Sequence, residues 1–228
     1  MFTDRKDAGK ELALRVQNLN LDNATVLALP RGGVVTGYEI ASVLKAPLDV
    51  IISRKIGAPN NPEYAIGAIA EGDVLILNQE AIKSNGFTDE QVDEIASNEI
   101  REMERRIALY RNNRPLPNLK GKTVILADDG VATGITALAA IKSVEGFGAD
   151  KIVFAAPVCA YESAELLKRS VDKLVCLINP KNLIAIGNYY KNFNQVSDDE
   201  VIKLLMKHQF NKEDNKFPFS IDNTPTPY

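Results

Sequence analysis

Thr123 to Thr136 reads TVILADDGVATGIT. Its apolar, β-branched start, Thr123-Val124-Ile125-Leu126, predicts a buried parallel strand. Two adjacent carboxylates, Asp128 and Asp129, follow, and then a loop that carries Gly130, Thr133, Gly134 and Thr136. Ala137-Leu138-Ala139-Ala140-Ile141 opens a helix. A strand feeding a Gly/Thr loop that feeds a helix N-terminus makes an anion site, because loop amides and the helix dipole point positive charge at one spot. Paired carboxylates beside a bare phosphate would repel it. They fit a ligand that also carries hydroxyl donors or a metal ion, as a phosphorylated sugar does. The bland alternative is an ordinary strand–turn–helix corner with an acidic pair.

A second corner of this kind comes earlier in the chain. Thr25-Val26-Leu27-Ala28-Leu29 predicts a short buried strand, Pro30-Arg31-Gly32-Gly33 a turn, and Val34 to about Leu44 a helix. Its loop is basic where the other is acidic. Two glycines let the backbone come close to a ligand, and Arg31 supplies a bidentate donor for phosphate oxygens.

Val124 to Thr136, four apolar residues, two acids, a loop and then Thr-Gly-x-Thr, closely resembles the phosphoribosyl-diphosphate-binding motif of type I phosphoribosyltransferases. Arg31-Gly32-Gly33 resembles the diphosphate loop of the same family. The resemblance implies an α/β fold, a central parallel sheet flanked by helices with an inserted hairpin-plus-helix hood. It also implies a transferase that moves ribose 5-phosphate from 5-phosphoribosyl 1-diphosphate to a nitrogen base.

The rest of the chain is consistent with that layout. Asp7 to Leu19 predicts a helix with Leu12, Val16 and Leu19 on one face. Leu48 to Ile52 is a strand that ends in a Pro/Asn loop, residues 53–62, with a basic pair, Arg54 and Lys55. Ala65 to Ala70 and Val74 to Asn78, joined by Glu71-Gly72-Asp73, predict a β-hairpin. Thr88 is a candidate N-cap, followed by first-turn acids, for a helix running to about Tyr110. Residues 56–118 therefore form an insertion between core strands. Strand 151–156, helix 162–170 and strand 173–178 continue the alternation, which implies right-handed crossovers and ligands at the strands' carboxyl ends. A last helix spans Asp198 to Met206. The phosphoribosyltransferase domain is placed at 1–211 and a polar tail at 212–228.

Composition excludes other classes. The chain has 228 residues, 45% of them hydrophobic and 25% charged, which suits one large domain with an insertion. A net charge of −3 argues against nucleic acid and membrane surfaces as partners. Cys159 and Cys176 lie apart in strand-like runs, as reduced thiols of a cytoplasmic protein would. The one histidine, His208, sits between polar neighbours on a helix expected to be exposed. No His-based triad or Cys/His metal cluster can be assembled.

By resemblance, Asp128 and Asp129 hold the ribose hydroxyls, with Mg²⁺ bound through the ligand and these two acids. Gly130, Val131, Ala132, Thr133, Gly134 and Thr136 cradle the 5-phosphate. Arg31, Gly32 and Gly33, with Arg54 or Lys55, hold the diphosphate. Ile184, Tyr189 and Tyr190 fall where purine enzymes of the family lay the base, although the tyrosines could equally cap the edge of the core. Small-molecule substrates, a homo-oligomer and a place in nucleotide and nucleoside metabolism follow from the same resemblance. Two departures stand out. Ala132 replaces an aspartate that handles the base's ring proton in many purine enzymes, and Lys191 stands where 6-oxopurine enzymes carry an acid. The layout is most like a bacterial group of phosphoribosyltransferases without an assigned acceptor. A regulatory module that binds the ligand without turnover, and a hydrolase, are the competing readings.

Overall fold

The computed structural model describes residues 1–214. In chain order its elements are α1 (Arg5–Gln17), β1 (Ala24–Ala28), α2 (Gly33–Leu44), β2 (Leu48–Val50), β3 (Ser53–Ala58), β4 (Asn61–Ala70), β5 (Val74–Leu77), α3 (Gln79–Ser84) and α4 (Asp89–Arg111). Next come β6 (Thr123–Ala127), α5 (Ile135–Gly146), β7 (Lys151–Val158), α6 (Tyr161–Lys168), β8 (Lys173–Ile178), a short 3₁₀ turn (Ile186–Tyr189) and α7 (Asp198–Asp214).

Five strands make one parallel sheet in the order β2-β1-β6-β7-β8. Both faces are covered, which is why the strands read as unbroken apolar runs. Ile125 and Ala127 of β6 face a cluster with Leu12, Val16, Ile40, Val201 and Leu205 from α1, α2 and α7. Val124 and Leu126 face the opposite cluster, with Ala140, Ile141, Val144 and Leu167 from α5 and α6. The strand order reverses between β1 and β6, and the two loops singled out in the sequence follow these two strands. A doubly wound sheet opens its ligand crevice at that switch point.

The hood is a second sheet, β3-β4-β5, antiparallel throughout. Ile56, Ala58, Ile66 and Ile69 pack against Ala81, Ile82, Val92 and Ala96 of α3 and α4. Ala68 and Ala70 turn the other way, onto Ala139 of α5. The helix at Thr88 starts as its sequence predicts: Thr88 accepts from the Gln91 amide, and the Gln91 side chain accepts from the Thr88 amide. At the hood's base Glu71 accepts from the Ile52 amide at 2.8 Å and from the buried Arg111 guanidinium. Burial pushes Glu71 up from the ordinary carboxylate range.

Four expectations change. Residues 53–62 are not simply a loop: Ser53–Ala58 is the strand β3, because Ile56 and Ala58 alternate into the hood core while intervening positions stay half-exposed. α3 adds an element without a long apolar period. His208 is buried, not exposed; its Nε2 lies 2.8 Å from the Ala46 carbonyl oxygen and its ring stands edge-on to Tyr38. It follows Val201 and Leu205 on the face of α7 that packs on α2, so helical geometry turns it inward whatever its sequence neighbours. α7 continues past Met206 to Asp214. Most of the expected tail, residues 215–228, lies outside the described residues.

Candidate active site

Asp128 and Asp129 sit just past the carboxyl end of β6, held at the main chain. The Asp128 amide donates to the Ala155 carbonyl at 3.1 Å, and Thr36 Oγ1 donates to the Asp128 carbonyl at 3.1 Å and to the Gly33 carbonyl at 2.9 Å. Thr36 thus ties the helix after β1 to the acids after β6. The Asp128 carboxyl accepts from the Asp129 amide at 2.8 Å. Burial pushes its pKa up, and the neighbouring Asp129 carboxylate adds to that push.

The basic corner comes directly onto the acidic one. A Cβ on Gly32 would lie 1.8 Å from Asp129 Oδ2, and one on Gly33 would lie 2.6 Å from the Ala127 carbonyl oxygen. At Gly33 only glycine permits this approach, because backbone blocks a Cβ; at Gly32 a Cβ would displace the Asp129 carboxylate. The Pro30–Arg31 peptide is cis. The Arg31 side chain reaches Asp198 at the start of α7, with Nη1 3.6 Å from Oδ1. Tyr110 donates to that same oxygen at 2.5 Å and holds Asp198 below the usual carboxylate range, with Arg105 assisting.

Beyond the acids the chain wraps into a cradle. The Val131 amide donates to the Val158 carbonyl at 2.8 Å, the Ala160 amide to the Val131 carbonyl at 2.8 Å, and Ser163 Oγ to the Ala132 carbonyl at 2.5 Å. Gly134, at φ +79°, turns the chain into α5. The first amides of α5 have no carbonyl within the helix to bind, so they face the mouth of the loop with the positive end of the dipole. Ala132 and Thr133 are exposed, and Thr136 is half-buried.

Arg54 and Lys55 lie on β3 and carry partners in the hood: Arg54 Nε donates to Glu99 at 2.6 Å and Lys55 Nζ to Glu63 at 3.2 Å. They line a cleft of about 520 Å³ that also touches Pro30, so they share a wall with the basic loop but their charges are engaged. The candidate base segment divides. Ile184 is 90% exposed. Tyr189 is half-buried against the edge of the core. Tyr190 is buried: its ring stacks on Phe193 at 4.7 Å and its hydroxyl donates to the Asp129 carbonyl at 2.6 Å. That is the core-capping arrangement. Ile186 fills the space over Gly130, where a Cβ would meet it at 2.3 Å.

The residue absent from the sequence reading is Arg5. Its Nε lies 2.5 Å from Asp129 Oδ2, and its guanidinium carbon sits 3.7 Å above the Phe193 ring. The signal available was a cation beside Asp4 and Asp7 at a helix start, where a positive charge opposes the dipole.

The match of residues 3–191 to the phosphoribosyl transferase domain model defines the class, and the chain belongs to that family. A protein of Mycobacterium tuberculosis that bears the name "Putative phosphoribosyl transferase" is 40% identical over 205 residues, covering 90% of this chain and 46% of the relative. The chain thus spans about half the length of the curated relatives it matches. A solved structure from Thermus thermophilus is 39% identical, with a TM-score of 0.75, covering 91% of this chain and 98% of that one. One from Aquifex aeolicus shares the fold at 13% identity and a TM-score of 0.50, over 80% of this chain and 78% of that one. No helix among the described residues is long and apolar enough to cross a membrane.

Proposed function

We propose that this protein transfers ribose 5-phosphate from 5-phosphoribosyl 1-diphosphate to a nitrogen base and releases diphosphate. The observation that carries this reading is the contact of two opposite loops at the sheet's switch point: Gly32 against Asp129, beside the amide cradle that opens α5. An acidic pair for hydroxyls, a cradle for one phosphate and a basic glycine loop for a second anion match the three parts of that donor. Asp128 and Asp129 accept from the ribose 2- and 3-hydroxyls. The amides of 130–136, with the Thr133 and Thr136 hydroxyls, bind the 5-phosphate. Arg31, Gly32 and Gly33 hold the diphosphate, and Arg54 and Lys55 reach it by exchanging their glutamate partners. As the C1–O bond breaks, positive charge builds on the ribose ring, and the two carboxylates stabilise it. The electron pair of the C1–O bond leaves with diphosphate, the base nitrogen bonds to C1, and its proton passes to the departing diphosphate.

Magnesium fits the donor set. Among the described residues no group of three His, Cys, Asp or Glu side chains could hold a metal unaided. Two carboxylates completed by substrate oxygens are the arrangement Mg²⁺ takes with phosphate ligands, so Asp128 and Asp129 are the residues that would hold it. When bound it would offset the charge of the departing diphosphate. The reading implies a cytoplasmic, homo-oligomeric enzyme of nucleotide metabolism. A ligand-binding regulator is the second reading, and the methyl group of Ala132, which cannot take a proton from a base, favours it.

Calorimetric titration with 5-phosphoribosyl 1-diphosphate and Mg²⁺ tests the donor site. Diphosphate release across a panel of bases then tests turnover. Replacing both acids, Asp128→Asn with Asp129→Asn, should weaken binding about 100-fold or more, since two charge-assisted hydrogen bonds are lost. Unchanged affinity would sink the assignment, and tight binding without release for any base would select the regulator.

A further inference from the structure

We propose that Arg5 is a positioning residue for the ribose site, holding Asp129 so that its free lone pairs meet the sugar hydroxyls. This role rests on the phosphoribosyl reading above. Asp129 is gripped twice: Tyr190 donates to its carbonyl at 2.6 Å, and Arg5 Nε contacts its Oδ2 at 2.5 Å. The two grips are joined to each other, because Tyr190 stacks on Phe193 at 4.7 Å and Arg5 lies over the same ring at 3.7 Å. Arg5 Nη1 also donates to the Asn194 carbonyl at 2.7 Å. Asp129, Arg5, Phe193 and Tyr190 therefore form a closed ring of contacts that holds one residue by its main-chain carbonyl and by its carboxylate.

The first residues of the chain and the segment that follows the 3₁₀ turn are brought together to build this ring. The Phe2 amide donates to the Tyr189 carbonyl at 2.8 Å, the Lys191 amide to the Phe2 carbonyl at 2.9 Å, and the Asn192 amide to the Thr3 carbonyl at 3.0 Å. α1 is started by Asp4, which accepts from the Asp7 amide at 2.9 Å, and this cap fixes Arg5 as the first helical residue. A cation there works against the helix dipole. It is also 11% exposed in its side chain, facing an acid 17% exposed, and such a pair is weak support for stability alone. A local rule broken beside the acid pair is what a functional site looks like. The gain lies at Asp129. Arg5 offsets the repulsion from Asp128 and fixes one oxygen, while a carboxylate has about four lone-pair sites, so acceptor capacity remains for a hydroxyl.

The test compares wild type, Arg5→Gln and Arg5→Lys by calorimetry with three probes: 5-phosphoribosyl 1-diphosphate with Mg²⁺, ribose 5-phosphate, and inorganic diphosphate with Mg²⁺. Arg5→Gln should weaken the two ribose ligands by about 10- to 100-fold, as loss of a charged hydrogen-bond partner does. Inorganic diphosphate should change less than about threefold, and Arg5→Lys should recover part of the loss. Phe193→Leu keeps the arginine but removes its shelf, and should show the same ligand-selective pattern more weakly. Equal loss for all probes would make Arg5 merely structural and overturn the proposal, as would unchanged or tighter ribose binding. Wild type that binds none of the ribose ligands would overturn the phosphoribosyl reading itself, and the role of Arg5 with it.

Discussion

The corner after β1 and the corner after β6 share one backbone plan, strand, loop and helix N-terminus, yet each is held by a different means. The β1 corner depends on absence of side chains: Gly32 and Gly33 press onto Asp129 and the Ala127 carbonyl with no room for a methyl group. The β6 corner also needs glycine, at Gly130 under the movable Ile186 side chain and at Gly134, but no backbone blocks it there; its hold is hydrogen bonds to neighbouring strands and helices, through Val131, Ala132 and Ala160. The first corner is thus steric and intolerant. The second is polar and made of separable contributions. Together they bring the backbone of the basic loop onto the acidic pair, which neither corner achieves alone.

Substitutions can break or sharpen this contrast. The largest effect should come from Gly33→Ala, whose Cβ meets backbone rather than a movable side chain; urea unfolding should show a loss of about 2–3 kcal/mol, together with weaker diphosphate binding. Gly134→Ala should cost about 1–2 kcal/mol, because its φ of +79° is costly for any residue with a Cβ. Thr36→Val keeps shape but removes the one hydroxyl that bonds both corners, and should cost about 1–2 kcal/mol, with affinity for both loops' ligands reduced.

The Arg31 partner gives a smaller, pH-dependent effect. Asp198 titrates lower in the folded chain than unfolded, so its contribution is complete above the unfolded carboxylate pKa and fades as pH falls through the lowered folded value. Wild type should exceed Asp198→Asn by less than about 1 kcal/mol at neutral pH, and the two stability curves should converge in acid. A difference that persists unchanged in acid would remove the ion pair as its cause. Smallest of all, and opposite in sign, Gly146→Ala at the end of α5 has open space and should stabilise by about 0.5–1 kcal/mol in thermal melting.

What was legible follows from locality. Buried parallel strands have no choice but continuous apolar runs, so Val26, Ile125 and Phe154 announce the central sheet, and a loop that binds anions must carry glycines and hydroxyls within a few residues. Thr88 and Gln91 announce a helix start because both partners lie within one turn. The strand at Ser53–Ala58 and the burial of His208 were hidden for the converse reason: Gly57, Pro59 and the asparagines beyond suggest a loop and the neighbours of His208 are polar, while hood and α7 packing decide what each segment does. The amino-acid sequence by itself determined the strands of the central sheet, the two loops and the charge each carries, because these are properties of short segments. Only the tertiary structure decided that Gly32 touches Asp129, and that Arg5 reaches across 124 positions to the same carboxylate over Phe193. Such contacts join residues that no local pattern relates; they exist because the sheet order sets β1 beside β6 and the chain's first residues beside Tyr190.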